Sequence, residues 1–161
     1  MTVTKILEGI KQSEVSITCH MTLLTNHIRF LKDHKEAVTC VSLRDDILVS
    51  GSRDKTIIIW KDETETESLV PKFAKIRIMT GHEDILHYVY QDDTRIYSSD
   101  DGGELFIWDK SKALLSENEE DLVLRRVDCG RRGAIDCIKM IGPKLYLSYD
   151  DFGCTAIQDY W

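Results

Sequence analysis

The stretch from Ile28 to Trp60 reads IRFLKDHKEAVTCVSLRDDILVSGSRDKTIIIW, and it recurs 48 residues further along the chain. The second copy, from Ile76 to Trp108, reads IRIMTGHEDILHYVYQDDTRIYSSDDGGELFIW and aligns without a gap over all 33 residues. The aligned histidines are His34 and His82, and both copies end on a tryptophan. Repeats of this length indicate a stacked or radial architecture in which each copy is one structural unit.

A weaker third copy spans Ala134 to Asp159 and carries one extra residue. In this copy Ser148 falls on Ser50 of the first copy. Two landmarks are missing, because Arg131 stands where the histidine would be and Gln158 stands where the tryptophan would be. We therefore expect the third unit to hold together by packing alone and to be the least stable of the three.

The periodicity within each copy is that of β-strands. The runs TIIIW and ELFIW are apolar on both faces, which is typical of strands buried from both sides. In the first strand, AVTCVSL, one face tolerates polar residues, and the other is apolar and carries Val41 and Leu43. Turn-forming residues such as Asp45-Asp46 separate the runs. We therefore predict an all-β chain in which each copy forms four short antiparallel strands joined by tight turns.

Composition argues against several classes of protein. With a formal net charge of −7, the chain would repel the phosphate backbone of a nucleic acid. The pairs Arg125-Arg126 and Arg131-Arg132 are typical of a solvated strand edge. We therefore expect no nucleic-acid binding. The five cysteines are odd in number and form no CxxC motif, which favours a reducing compartment, the cytoplasm or nucleus. No secretory signal and no apolar run of the ~20 residues that span a bilayer is evident, so we expect no membrane association.

The spacing of two landmarks carries a family resemblance. His82 follows a glycine and lies 26 residues before Trp108, which precedes an aspartate; His34 and Trp60 keep the same interval. This pattern resembles the GH…WD signature of the WD-repeat family. The resemblance covers roughly residues 27 to 159. It implies a β-propeller of four-stranded antiparallel blades, of which about three are recognisable in this chain.

The resemblance also implies a buried hydrogen-bonded set within each blade, made of a histidine, a serine or threonine, an aspartate and the tryptophan. This chain would supply His34, Ser50 or Ser52, Asp54 and Trp60 in the first copy, and His82, Ser98 and Trp108 in the second. The physics fits, because a buried indole N–H needs an acceptor and a buried carboxylate needs several donors. Gly102 falls where Asp54 stands, so Asp100 or Asp101 would have to substitute in the second copy.

The recurrence of histidine, serine and aspartate does not indicate an enzyme. A catalytic triad needs one exposed nucleophile beside a base and an oxyanion site, whereas this trio recurs in step with the strands, as a packing element does. Cys19 and His20, taken with His27 or His87, match no standard metal-ligand spacing. The run SDDGGELF is not a phosphate-binding loop. We expect no catalytic residue, no cofactor and no metal.

We divide the chain into an N-terminal segment, residues 1–26, and the blades, residues 27–161. Val15 to Leu23 alternates like a half-buried strand, so one interpretation of the segment is a degenerate partial blade. Three blades are fewer than the four to eight of known propellers. Three solutions remain open: residues 1–25 close a small ring, two chains combine through their strands at His27 to Leu31, or the chain is a portion of a longer propeller.

The expected function is a non-catalytic scaffold or adaptor for protein–protein interaction, because loops on a rigid scaffold carry recognition residues. The alternatives are an architectural subunit of a large multiprotein complex and a substrate-receptor propeller of a ubiquitin ligase. By the family's geometry, a partner-binding rim is formed by the residues just after the histidines and just before the turn aspartates. These candidates are Lys35, Arg53, Glu83, Asp101, Arg132 and Asp151.

Overall fold

The computed structural model describes residues 30–65, 72–115, 122–128, 133–142, 144–149 and 155–159, the last of these as backbone. The N-terminal segment of residues 1–26 therefore lies outside the described residues, and so do Arg131, Arg132 and Asp151.

The chain divides into two compact units, Met1–Lys32 with Asp62–Phe73, and Asp33–Lys61 with Ala74–Trp161. In the first unit, the backbone N–H of Glu63 donates to the carbonyl of Lys72 at 2.7 Å. The second unit contains nearly all of the described sheet structure, together with the buried polar sets.

The first blade is a four-stranded sheet in the order β1-β2-β3-β4. Its strands are β1 (Val38–Arg44), β2 (Ile47–Ser52), β3 (Ile57–Asp62) and β4 (Phe73–Met79). Strand β2 runs antiparallel to both of its neighbours, β1 and β3. The tight turn between β1 and β2 places Asp45 at a φ of 53°, a conformation that aspartate tolerates better than most residues.

The second blade repeats this sheet and adds a helix. Its strands are β5 (Leu86–Gln91), β6 (Arg95–Asp100), β7 (Glu104–Asp109) and β8 (Val123–Asp128), antiparallel and in that order. Helix α1 (Lys110–Leu115) lies between β7 and β8.

Helix α1 was not predicted from the sequence. Its run KSKALL is made mostly of good helix formers, and the Asp109 carboxylate caps it by accepting the backbone N–H of Lys112 at 2.9 Å. Ala113 is fully buried against the apolar core. Lys110 is also buried, and its ammonium donates to the carbonyl of Asp92 at 3.2 Å.

The third blade has three strands within the described residues, β9 (Ile135–Ile141), β10 (Lys144–Tyr149) and β11 (Thr155–Asp159), in the order β11-β10-β9. Both pairings are antiparallel. The predicted all-β architecture of four-stranded antiparallel blades is therefore confirmed, with two full blades and one three-stranded sheet in the described part of the chain.

Two apolar cores lie between neighbouring blades. The first core joins one face of the first blade to the second blade and includes Val49, Ile59, Leu86 and Trp108. The second joins the opposite face of the second blade to the third and includes Tyr97, Ile107, Ile138, Leu147 and Tyr149. Both faces of the second blade therefore pack against another sheet, which explains why the run ELFIW is apolar on both faces.

The close approach of the first two blades depends on Gly51. A Cβ atom built there would lie 2.7 Å from the Cys40 sulfur and 3.2 Å from both the Leu86 Cβ and the Val89 Cγ1 atoms. A methyl group would therefore overlap its neighbours, and a residue without a side chain is required in β2 at this point.

One expectation drawn from the alignment needs correction, and one apolar face is exposed. The apolar face of β1 is exposed, because Val41 and Leu43 have no covering sheet among the described residues. In the third blade, Leu147 faces Ile138 as Ser50 faces Val41, so Leu147 and not Ser148 holds the serine position. Periodicity assigns residues to faces, but it does not show what covers a face or where an extra residue is absorbed.

Candidate functional site: a loop rim held by buried polar sets

The first blade contains one hydrogen-bonded set that links the loop before β1 to the sheet. The Trp60 indole N–H donates to the Ser50 hydroxyl at 2.9 Å, and Ser50 Oγ lies 2.9 Å from His34 Nε2. His34 Nδ1 lies 3.0 Å from an Asp54 carboxylate oxygen. A carboxylate can only accept, so Nδ1 carries a proton and donates it to Asp54.

Asp54 is held by more than the histidine. It accepts the backbone N–H of Lys35 at 2.8 Å, the backbone N–H of Thr56 at 3.0 Å and the Thr56 hydroxyl at 2.6 Å. Burial alone would raise the pKa of Asp54, but the donors from Thr56, Lys35 and His34 outweigh burial and lower the pKa to about 2. The carboxylate therefore stays charged and ties the loop to the turn.

The second blade contains the corresponding set with a different aspartate. The Trp108 indole N–H donates to Ser98 at 2.8 Å, and Ser98 Oγ lies 2.7 Å from His82 Nε2. His82 Nδ1 lies 2.7 Å from Asp100, so Asp100 and not Asp101 takes the place of Asp54. His82 and Asp100 are each only 1% exposed, which makes this pair the more deeply buried of the two.

Asp100 lies at the end of a strand, and Asp54 lies in a turn. In the repeat alignment Asp100 holds the position of Ser52, whose hydroxyl instead accepts the backbone N–H of Asp54 at 3.1 Å. Of the two serines considered in the first copy, Ser50 is the one bonded to histidine and tryptophan, and Ser52 supports the turn. Burial raises the pKa of Asp100, but the bonds from His82 and from the backbone N–H of Glu104 outweigh it and lower the pKa.

The third blade has no such set among its described side chains. Leu147 stands at the serine position and packs in the second core. Gln158 pairs with Leu145 in the backbone register as Trp60 pairs with Leu48, but its side chain is outside the described residues.

The loops and turns that these sets hold carry the described candidates for the partner-binding rim. Arg53 is exposed in the turn before Asp54, and its backbone N–H donates to the carbonyl of Ala37 at 2.9 Å. The Lys55 ammonium donates to the carbonyl of Glu83 at 2.7 Å, so the turn of the first blade touches the loop of the second. Four rim candidates lie within the described residues. Lys35 and Glu83 directly follow the histidines of the two sets, and Arg53 and Asp101 directly follow β2 and β6.

An acidic cleft of about 540 Å³ opens on this rim. The candidates Glu83 and Asp101 line it, together with Asp84, Asp100, Gly102, Glu104 and Gly133. The Arg126 guanidinium is paired with Glu104 at 2.5 Å and lies 3.7 Å from Glu83. Sequence analysis missed Asp84 and Glu104, because neither occupies a landmark position of the repeat.

Polar contacts between blades were also missed. The Gln91 amide donates to the carbonyls of Ser42 at 2.8 Å and Ile47 at 2.9 Å, and the Thr39 hydroxyl donates to the carbonyl of Leu86 at 2.6 Å. A buried polar residue at the end of an apolar strand, as in LHYVYQ, is the signal that could have indicated Gln91.

The described residues offer little for catalysis or metal binding. Ser50 and Ser98 are buried and fully engaged within their sets, so neither is an accessible nucleophile. In the described part of the chain, no three or more His, Cys, Asp or Glu side chains are grouped to hold a metal ion. No described helix is long and apolar enough to cross a bilayer.

Comparison with known proteins agrees with this geometry. Residues 25–61 match the family model described as WD domain, G-beta repeat. A stretch of 35 residues is 57% identical to the Probable E3 ubiquitin ligase complex SCF subunit scon-2 of Neurospora crassa. That match covers 22% of this chain and 5% of the relative's length. With the internal repeat and the antiparallel four-stranded blades, these findings support a relationship to the WD-repeat family.

Proposed function

We propose that this chain is a non-catalytic scaffold that binds other proteins through its loop rim. One observation carries the proposal: the histidine, serine, aspartate and tryptophan of two blades hydrogen-bond to one another and to the adjacent loop and turn residues. They fix the loops and offer no reactive group to solvent. Recognition is then left to the side chains that the fixed loops present.

The acidic cleft is the part of the rim best suited to recognition. It is concave, and its rim residues Glu83 and Asp101 are exposed, so a basic segment of a partner would gain both contact area and charge complementarity. We include Lys35, Arg53, Arg132 and Asp151 in the proposed rim on the strength of their repeat positions. Mixed charge there would select among partners more than it would add affinity.

The test is affinity purification of the full chain from native cells, with partners identified by mass spectrometry. The variant Glu83→Lys with Asp101→Lys should lose the partners that the unchanged chain retains. Ser111→Lys is the control, because Ser111 is exposed on helix α1 and does not line the cleft. An unchanged set of partners in the double variant would refute the assignment of this surface.

A second candidate, a role in a ubiquitin ligase complex, is favoured by the name of the relative from Neurospora crassa. The same purification tests it, because ubiquitin ligase subunits should then be among the captured proteins. We propose the cytoplasm or nucleus for either role, since the odd number of cysteines favours a reducing compartment. Cys40 and Cys137 are free thiols among the described residues.

A further inference from the structure

The acidic cleft already holds one guanidinium at its edge, that of Arg126 on strand β8. Its Nη2 group donates to the two Glu104 carboxylate oxygens at 2.5 and 2.7 Å, and its Nε–H donates to Glu104 Oε1 at 3.1 Å. A second carboxylate, that of Glu83, lies 3.7 Å from Nη2. Two nitrogens of one guanidinium therefore bond to one carboxylate, which is the paired geometry that distinguishes arginine from lysine.

An aromatic ring completes the place where this guanidinium lies. The guanidinium carbon of Arg126 lies over the Phe106 ring, 5.3 Å from its centre. Phe106 is only 4% exposed, and its ring centre lies 4.2 Å from that of His82, in the set that holds the loop. We call the carboxylate of Glu104 and the ring of Phe106 the guanidinium seat. Because the ring is packed in the core, the core and not Arg126 holds the seat in position.

The side chain that occupies the seat is open to solvent. The Arg126 side chain is 47% exposed, whereas that of Glu104 is 22% exposed. An ion pair at the surface contributes little to stability, so Arg126 can leave the seat at a small cost to the fold. A guanidinium that arrives from solvent can make the same bonds. The exposed carboxylates of Asp84 and Asp101 line the cleft beside the seat, and they would attract further positive charge on the arriving segment.

The first blade has the arginine without the seat. When the third copy is aligned on the second, Arg126 falls on Arg77 of strand β4. The repeat positions of the carboxylate and the ring are held in the first blade by Thr56 and Ile58. The Thr56 hydroxyl is itself bonded to Asp54 at 2.6 Å. A hydroxyl and an aliphatic side chain offer a guanidinium neither a charged acceptor nor a ring face, so the seat is a feature of the second blade, where the cleft lies.

We propose that Arg126 guards the acidic cleft: it occupies the guanidinium seat in the free chain and yields the seat to an arginine of the bound partner. This inference rests on the proposed function, because it concerns the partner of that same cleft. It narrows the partner to a basic segment that contains arginine, since a lysine ammonium makes neither the paired bonds to Glu104 nor a flat contact with Phe106. Every partner must displace Arg126 from the seat, which disfavours segments whose only cations are lysines.

The experiment measures the binding of two labelled peptides to the full chain by fluorescence anisotropy. In one probe arginine alternates with glycine, and in the other lysine replaces every arginine, so that the two charges are equal. Arg126→Gln should bind the arginine probe about 10-fold more tightly than the unchanged chain, because the seat is vacated. Its affinity for the lysine probe should rise by no more than about 3-fold, through charge alone. No gain for the arginine probe, or an equal gain for both probes, would overturn the proposal.

Two further substitutions separate the seat from the net charge. Arg126→Lys keeps the charge but replaces the paired bonds by a single contact, so it should still raise the affinity for the arginine probe by about 3-fold. Arg77→Gln is the matched control, because it removes the same charge from the corresponding strand of the first blade and should leave both affinities unchanged. An equal gain for Arg77→Gln and Arg126→Gln would show that net charge alone sets the affinity, against the proposal.

One double variant distinguishes failure of this inference from failure of the proposed function. Glu83→Lys with Asp101→Lys reverses charge on the cleft and should abolish the binding of both probes. If it does so while Arg126→Gln changes neither affinity, the cleft binds basic segments but Arg126 does not guard it. If the unchanged chain and Arg126→Gln both bind neither probe, the cleft is not a surface for basic segments, and both proposals for it fail.

Discussion

The first two blades both tie a loop to the sheet through a histidine–aspartate pair, but their aspartates lie at different positions of the repeat. In the first, Asp54 lies in the turn after β2 and accepts from a histidine, a threonine hydroxyl and two backbone N–H groups. In the second, Asp100 lies at the end of β6, is more deeply buried, and bonds to His82 at the shorter distance of 2.7 Å. The link between loop and sheet is thus specified by the position of the carboxylate in space, and the residue that supplies it can move along the chain.

The largest expected effect is the loss of the more buried carboxylate. Asp100→Ala should lower the free energy of unfolding by about 3 kcal/mol, because His82 would be left without its partner in a dry site. Asp54→Ala should cost about 1–2 kcal/mol, because the donors around it lie closer to solvent. Urea denaturation followed by tryptophan fluorescence measures both values. A greater loss for Asp54→Ala would contradict the ranking by burial.

Lowering the pH should reduce the stability that the hydrogen-bonded set of the first blade contributes to the fold. The pKa of Asp54 is lowered from 3.8 to about 2 in the folded chain. A carboxyl group whose pKa is lower in the folded state stabilises the fold at pH values above its unfolded-state pKa. That stabilisation is lost as the pH falls through its folded-state pKa. About 2 kcal/mol should therefore be present above pH ~4 and be lost by pH ~2.

The comparison for this prediction is Asp54→Asn, which carries no titrating group at that position. Its unfolding free energy should depend less steeply on pH over the same range, while Asp100, whose pKa is also lowered, continues to contribute. Identical pH profiles for the variant and the unchanged chain would show that Asp54 does not titrate as described.

The smallest effect comes from moving the carboxylate of the first blade to the position used by the second. Asp54→Gly removes it, and Ser52→Asp places one where Asp100 stands in the repeat. The double variant should be about 1 kcal/mol more stable than Asp54→Gly alone, because His34 regains an acceptor. Thermal unfolding of the two variants gives the difference. No recovery would mean that the two turns are not interchangeable.

The strands were predictable from the sequence because the repeat aligns without a gap and its apolar runs have the lengths of strands. The serine, histidine and tryptophan of the sets could also be located, since they recur at fixed intervals. The choice between Asp100 and Asp101 could not be made, because it depends on how the turn before β7 is built. Helix α1 was missed because six residues between a strand and an acidic stretch show no helical period.

Other features depend on what lies across an interface, which one copy of a repeat does not encode. The exposure of Val41 follows from the absence of a covering sheet in the described part of the chain, although its counterpart Val89 is buried. The acidic cleft combines a loop and strand ends of the second copy with Gly133, which lies just before the third copy. The lower stability expected of the third blade stays a prediction, supported by the leucine at its serine position.

Gly51 has a consequence for the geometry of any complete ring. The side chain it lacks would push Cys40, Leu86 and Val89 apart and so widen the wedge between adjacent sheets. The angle of that wedge decides how many sheets fit around a circle. A single missing methyl group therefore helps to set the angle at which the first two sheets pack.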